Sequence, residues 1–334
     1  MLTALERKYS EIASKVQDWK ADPKARHLQA VLQKRSSVIV RMVMTYLLLL
    51  SLSFIFLYPL LFMVSQSFML SSDISDATVQ WIPKQLDFSN YSLAFENMRY
   101  WQGLRNSLII SIGASLMQML SCALVGYGFA RYRFPGYGIW LGLLVFTFLV
   151  PPQTMVVPLY IFYSNLNWTN TYWPFFLPAL MGHGLRGALF VLIFIQFFRR
   201  LPAVLEEAAR IDGAGPFRTY FTIMLPLARP ALLVVFLFSV VWHWNDLFYP
   251  NIFLRSPEFY NLSQLLSNFN GVRTAQMASM QQIMSASAVL GGVSNFMNQI
   301  MAGVVITILP MLILYLVAQR HFIESVERTG IAGD

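Results

Sequence analysis

Charge is scarce in this chain and cysteine is almost absent. Charged residues make up 12% of the 334 positions, against 56% apolar ones. A soluble protein of that length needs far more charge to stay dissolved, so that class is excluded. The single cysteine, Cys122, rules out a disulfide framework and any cysteine-based metal site. Histidine is thin as well: His27, His183, His243 and His321 are scattered, with no i, i+4 pair and no metal-ligand spacing. There is no G-x-x-x-x-G-K-[ST] loop, so the chain binds no ATP through a P-loop of its own. Neither a Ser-His-Asp set nor paired catalytic carboxylates can be argued, which leaves no catalytic residue, metal or cofactor to assign within it. The start of the chain, polar from Leu5-Glu6-Arg7-Lys8 through Ser37, predicts no cleavable signal peptide.

What the chain does have is long apolar runs. Several exceed the roughly 20 residues that cross a bilayer as helix. The expected fold is all-α, a polytopic membrane protein with six transmembrane helices. The first span is expected at about Met42 to Gln66 and the second at about Asn106 to Ala130, between Arg105 and Arg131. From Phe134 to Leu185 there is no charge, a stretch too long for one helix, and Ser164 to Asn170 breaks it. That gives spans three and four, at about Ile139 to Tyr163 and Tyr172 to Phe198. Span five is expected at about Ala228 to Pro250, and span six at about Asn298 to Gln319. In the long segment 251–297, Ile283 to Gly292 is too short to span, so an interfacial or re-entrant helix is expected there.

Lysine and arginine orient this topology. With the N-terminus inside, nine precede span one, two follow span two, five lie from Arg199 to Arg229 and two in the tail, against five in the outer loops. Both termini and the loop from Leu201 to Pro226 are therefore expected in the cytoplasm. A nucleic-acid binder would gather its basic residues in one soluble patch, so nucleic acid is excluded as a partner. Residues 1–40 form a basic cytoplasmic extension ahead of a membrane domain at 41–334. Leu5, Tyr9, Ile12, Val16 and Trp19 share one helical face. Asp22-Pro23 ends that helix, and Leu28, Val31 and Leu32 suggest a second short one. The stripe suits either the inner leaflet, with membrane lipid as the partner, or a partner subunit.

The cytoplasmic loop 201–226 is polar and alanine-rich. Pro202 suits a first helical turn, Ala203 to Ile211 is a strong helix-forming run, and Glu206 and Glu207 project carboxylates from it. Gly213 permits a positive-φ reversal and Pro216 restarts a second short helix, with Pro226 leading into span five. The residues alone fit an ordinary amphipathic connector as well as a docking knob. The spacing of Glu207-Ala208-Ala209, Gly213, Ile223 and Leu225-Pro226, however, resembles the EAA loop of permease subunits of binding-protein-dependent ABC importers. The stretch from Trp81 to Gln319 resembles the carbohydrate branch, relatives of the maltose and glycerol-3-phosphate permeases. Ile82-Pro83, Asn90-Tyr91, Asn106-Ser107-Leu108, Gly126 to Arg131 and Trp244-Asn245 carry that likeness.

The resemblance implies the type I importer fold and a non-enzymatic transport subunit in a bacterial or archaeal cell membrane. Its implied partners are a second permease, two ABC ATPases that hold ATP and magnesium, and an extracytoplasmic solute-binding protein. It implies that Glu206, Glu207, Ala208, Ala209, Asp212, Gly213, Ile223, Leu225 and Pro226 couple the chain to its ATPase. Sugar is the expected cargo, with a polyamine or phosphate ester as the alternative and a scaffold without an ATPase as the remaining class. The chain departs from the branch in its tail, Glu327 to Gly333, and in its long basic front.

For the solute path the candidates are Gln153, His183, Arg186, Trp242, Trp244, Asn245 and Asp246. Ionisable groups inside spans are costly and usually functional. Arg186 either meets solute or is bonded to carbonyls or a neighbouring subunit. Trp242, Trp244 and Asn245 either line a cavity or serve as interfacial anchors and an interhelical bond. Pro151-Pro152 beside Gln153 predicts a kink in span three. Ser111 and Ser115, with Gly113 between them, predict close packing of span two.

Overall fold

The computed structural model describes residues 23–329 apart from 75, 77, 80 and 282–285. Among the described residues every regular element is helical. The chain divides into two units, one up to Phe62 and one from Met63 onward. The stripe expected from Leu5 to Trp19 lies outside the described residues.

The first helix, α1 (Pro23–Ser67), contains no glycine and one internal proline, Pro59. The short helix expected around Leu28 to Leu32 is not separate, because nothing in the sequence stops the chain there. Those residues are early turns of the helix that continues as span one. Side chains from Lys34 to Phe62 are all exposed, the arrangement that suits hydrocarbon contact.

From Met63 onward follow α2 (Ser89–Asn97), α3 (Tyr100–Arg131), α4 (Tyr137–Leu149), α5 (Pro152–Asn165), α6 (Trp173–Leu180) and α7 (Gly187–Arg200). Then come α8 (Val204–Ile211), α9 (Pro216–Thr219), α10 (Arg229–Asn245), α11 (Phe248–Phe253), α12 (Leu262–Gln281) and α13 (Ala286–Thr329). Helix α3 is the hub, packed against α6, α7 and α10. Among the described residues, three helical stretches are long and apolar enough to cross a membrane alone: Lys34–Ser67, Tyr100–Arg131 and Met297–Arg320. The count rises to six when each sharply bent helix pair is taken as one span.

The bends correct the expected spans. Span three is more than kinked, since its halves α4 and α5 meet at 100°. Val150 and Pro151 each precede a proline and are held extended, with ψ of 122° and 131°. Span four is not one helix either. It stops at Leu180 and restarts at Gly187, with Gly182 and Arg186 at φ of 74° and 61°. His183 N and Gly184 N both donate to Pro178 O, at 2.9 and 3.0 Å, which closes α6. Span five ends at Asn245 rather than Pro250. There Asp246 turns extended and accepts bonds from Phe248 N and Tyr249 N at 3.0 and 3.4 Å, starting α11. The helix expected at 283–292 begins in residues that are not described, and from Ala286 on it forms the first turns of α13.

Connections alternate between two ends of the bundle. At one, Arg131 Nη2 donates to Leu201 O at 2.7 Å and Arg199 Nη2 to Tyr137 Oη at 2.5 Å. At the other, Asn170 accepts from Arg255 N and Ser256 N, while buried Asn106 donates to Glu258 O and Tyr260 O. Asn90 Nδ2 bridges Ser67 O and Met69 O at 3.1 and 3.0 Å. Asn90 and Asn106 thus serve as clamps that tie neighbouring backbone segments to the helices that carry them.

Close approach within the bundle depends on glycine at one position above all. A Cβ at Gly126 would lie 2.4 Å from Phe194 Cβ and 3.2 Å from Ile195 N, neither of which can swing away. We predict that Gly126→Ala forces α3 off α7 at a cost of about 1–3 kcal/mol. A lowered unfolding temperature in detergent would show it; an unchanged one would refute the packing described.

Candidate functional site

Two places gather the candidate residues: the knob at 201–226 and the break in span four. The knob stands across the bundle. Helix α8 turns 75° from α7, and the chain from Pro216 to Leu227 turns 76° into α10. Leu201, extended with ψ of 141°, makes the first bend, so Pro202 precedes the helix rather than starting it. Gly213 adopts φ of 79°, and a Cβ there would meet nothing within 4 Å, so backbone conformation alone requires glycine. Pro216 opens α9 as expected. Next comes one wide i→i+5 turn, Tyr220–Met224, closed by Leu225 N on Tyr220 O. Pro226 lies in the turn ahead of the second bend, and α10 begins at Arg229.

The knob's residues divide by face. Ala209 is buried, and Ile223 and Leu225 pack on the core formed by Tyr127, Phe194, Phe198 and Met224. Burial pushes the Tyr220 phenol up to about 12, so this side chain packs as a neutral ring, 5.0 Å from Tyr127. Glu207, Ala208, Asp212, Gly213 and Pro226 are exposed. Glu206 does not project with Glu207: successive residues on a helix point about 100° apart. It turns inward to Arg131, Nε to Oε1 3.3 Å, with side chains only 11% and 17% exposed. Sequence reasoning missed the apolar neighbours of Glu207 on the knob. Val204, Ile211 and Phe217 are 67%, 86% and 72% exposed, and apolar residues flanking a polar loop were the available signal.

Arg131 ties the knob to α3 through both Glu206 and Leu201 O. We predict that Arg131→Met, which strands both acceptors, destabilises the knob by about 2–4 kcal/mol. Faster protease cleavage within 201–226 would register it, and cleavage at the parental rate would count against this anchoring role.

The break in span four opens onto two cavities. One, of about 300 Å³, is lined by His183, Gly184, Arg186, Phe146, Phe148 and Tyr249 among others. The other, about 70 Å³, shares His183, Gly184, Leu185 and Tyr249 and adds His243 and Asp246. His183, Arg186 and Asp246 are therefore brought together around the break. Among the described residues no ion pair joins Arg186 to Asp246; Tyr249 lies within the field of both. The Arg186 guanidinium sits 5.7 Å from the Trp242 ring, which packs on Phe190.

The other candidates lie elsewhere. Trp244 is buried in the core of Ala94, Tyr100 and Leu262, and Asn245 bonds Val241 O of its own helix. Gln153 is exposed on α5 and lines neither cavity.

Gln118, which sequence reasoning passed over, holds the break in place. It is fully buried, donates to Leu185 O at 2.9 Å and accepts from Ser239 Oγ at 2.7 Å. Ser239 in turn meets His243 Nδ1. A Cβ at Gly184 or Gly187 would lie 3.0 or 3.5 Å from Gln118 Nε2, so the amide occupies a slot between two glycines. The signal was a lone amide in the apolar run of span two. Ser111 and Ser115 are buried as expected, and a Cβ at Gly113 would meet the Phe176 ring at 2.9 Å.

Comparison with known proteins gives a consistent picture. A family model described as a binding-protein-dependent transport system inner membrane component matches residues 122–328. The chain is 29% identical over 285 residues to the arabinooligosaccharides transport system permease protein AraQ of Halalkalibacterium halodurans, covering 84% of this chain and 93% of that one. It is 28% identical over 296 residues to the maltodextrin transport system permease protein MdxG of Bacillus subtilis, covering 86% and 95%. Among solved structures, a bacterial ABC transporter involved in the import of the acidic polysaccharide alginate matches with a TM-score of 0.69. At 21% identity, over 86% of this chain and 98% of that one, the match speaks to the fold alone.

Proposed function

Because this chain belongs to the family of binding-protein-dependent transport system inner membrane components, we propose that it is a permease subunit passing a saccharide from an external binding protein into a prokaryotic cell. The relatives' names, arabinooligosaccharide and maltodextrin permeases, support sugar as the cargo class. The knob at 201–226 seats in a separate ATPase, with Glu207 meeting a partner cation and Ala208, Ile211 and Phe217 supplying close apolar contact. Two ATPases bind ATP and magnesium, and a second permease completes the pore. Both termini and the knob face the cytoplasm, with residues 1–40 as a basic cytoplasmic extension. The cavity at the break in span four lies on the solute path and is exposed alternately to either side.

The observation that carries this reading is the exposed face of the knob. An acidic side chain stands among large apolar ones on a support fixed by buried residues, which is the anatomy of a docking surface. The test is purification of the tagged chain from its own host. We expect a second permease and an ATPase to accompany it, with ATP hydrolysis confined to the assembly. A chain that purifies alone and still transports solute would overturn the reading. Orientation is tested separately by Asp212→Cys. Cys122 is buried, so the new thiol should react with a membrane-impermeant reagent only when the inner face is opened.

A further inference from the structure

On the reading that the cavity at the break lies on the solute path, we propose that the solute carries a carboxylate, as a uronate-bearing oligosaccharide does, and that Arg186 receives it. Two charged side chains border the cavities, and they are unequally provided for. Asp246 accepts the backbone N–H groups of Phe248 and Tyr249, so its carboxyl is bonded within the chain itself. Arg186 has no such provision. Among the described residues its guanidinium meets only the face of Trp242, and no carboxylate or carbonyl receives its donors. Arg186 is exposed on the wall of the larger cavity, so its donors are open to an anion that enters there.

The chemistry of the walls narrows the class. A guanidinium forms two parallel bonds to a carboxylate, and that pairing fixes orientation as well as charge. One guanidinium balances one carboxylate. A phosphate dianion would leave charge over, since the larger cavity has no lysine and no second arginine in its walls. Phe146, Phe148 and Tyr249 present aromatic faces, and these suit the apolar face of a sugar ring more than an extended polyamine, which Arg186 would repel. About 300 Å³ is at the lower end of small-molecule sites and admits a saccharide unit rather than a whole chain.

The experiment uses the complete importer with its binding protein in proteoliposomes, supplied with trigalacturonate or with the same trisaccharide reduced at its carboxyls. The parental complex should take up trigalacturonate in preference to the neutral sugar. Arg186→Gln should raise the KM for trigalacturonate about 10- to 100-fold, the scale of a lost charge-assisted bond, and affect uptake of the neutral sugar far less. Arg186→Lys, which keeps the charge and loses the fork, should recover part of the loss. Exclusive uptake of the neutral sugar by the parental complex, or an equal effect of Arg186→Gln on both sugars, would overturn the proposal. Ala188→Trp, which fills the same cavity, tests the path itself. If it leaves uptake of both sugars intact, the cavity is off the path. If it blocks both while Arg186→Gln does not discriminate, the path stands and the carboxylate does not.

Discussion

Glu207→Lys is expected to cut solute uptake by about 100-fold or more while the chain still inserts, folds and reaches the membrane in normal amount. Glu207 is exposed and, among the described residues, its side chain has no ion pair to lose, so the substitution spares the fold. On the proposed docking into an ATPase, its cost falls on the cation that Glu207 faces there. Juxtaposing like charges in a desolvated contact costs several kcal/mol, which is two orders of magnitude or more in the coupled step. Glu207→Ala removes the attraction without adding repulsion and should fall between. Glu206→Lys is expected to look different, because it faces Arg131 at 3.3 Å and the damage would appear first as loss of folded protein. Uptake of labelled solute beside the amount of chain in the membrane separates the two. Normal uptake by Glu207→Lys would end the coupling assignment.

Gln118→Leu is expected to destabilise the membrane domain by about 2–5 kcal/mol and to reduce uptake with it. The replacement fills nearly the same volume, so cavity formation is a minor part of the cost. The larger part comes from Leu185 O, left without its donor, and from Ser239 Oγ, left with only His243 Nδ1 at 3.3 Å. Removing the Ser239 hydroxyl as well takes away one of those stranded groups. The double variant Gln118→Leu with Ser239→Ala should therefore lose less than the sum of the single losses. Thermal unfolding of the four proteins in detergent measures this directly. Strict additivity would mean that the amide does not join the two helices.

Much of this fold is written in apolar run length, and that part is legible without coordinates. The cores of spans one, two and six follow from uncharged runs, and the loop 164–170 from its crowded amides, two of which, Asn167 and Asn170, take positive φ. The breaks are harder to read. Between Leu180 and Gly187 the glycines at 182 and 184 pass for small residues inside a span. Only packing shows that Gly184, together with Gly187, admits Gln118 and that Arg186 ends up at φ of 61°. Hydropathy averages over such a stretch and cannot tell a helix from two halves of one. On the knob, spacing locates the loop and Gly213 but not which carboxylate faces outward. That follows from helical phase, once Arg131 has claimed Glu206. Val204, Ile211 and Phe217 are easily passed over for the opposite reason: apolar residues are expected to bury, and their exposure is a property of the folded surface.

The two bends that flank the knob have a mechanical consequence. An eight-residue helix is about 12 Å long, and α8 lies at 75° to one membrane helix while the chain leaving the knob lies at 76° to the next. Such a piece works as a crank throw between two shafts. Its elbows are seated, one by Arg131 on Leu201 O and the other by the fully buried Ala228. A sideways push on the outer end near Gly213 is therefore not absorbed locally. It reaches α7 and α10 together as a turning moment, and Gln118 is the bolt that ties α10 to the break just ahead of α7.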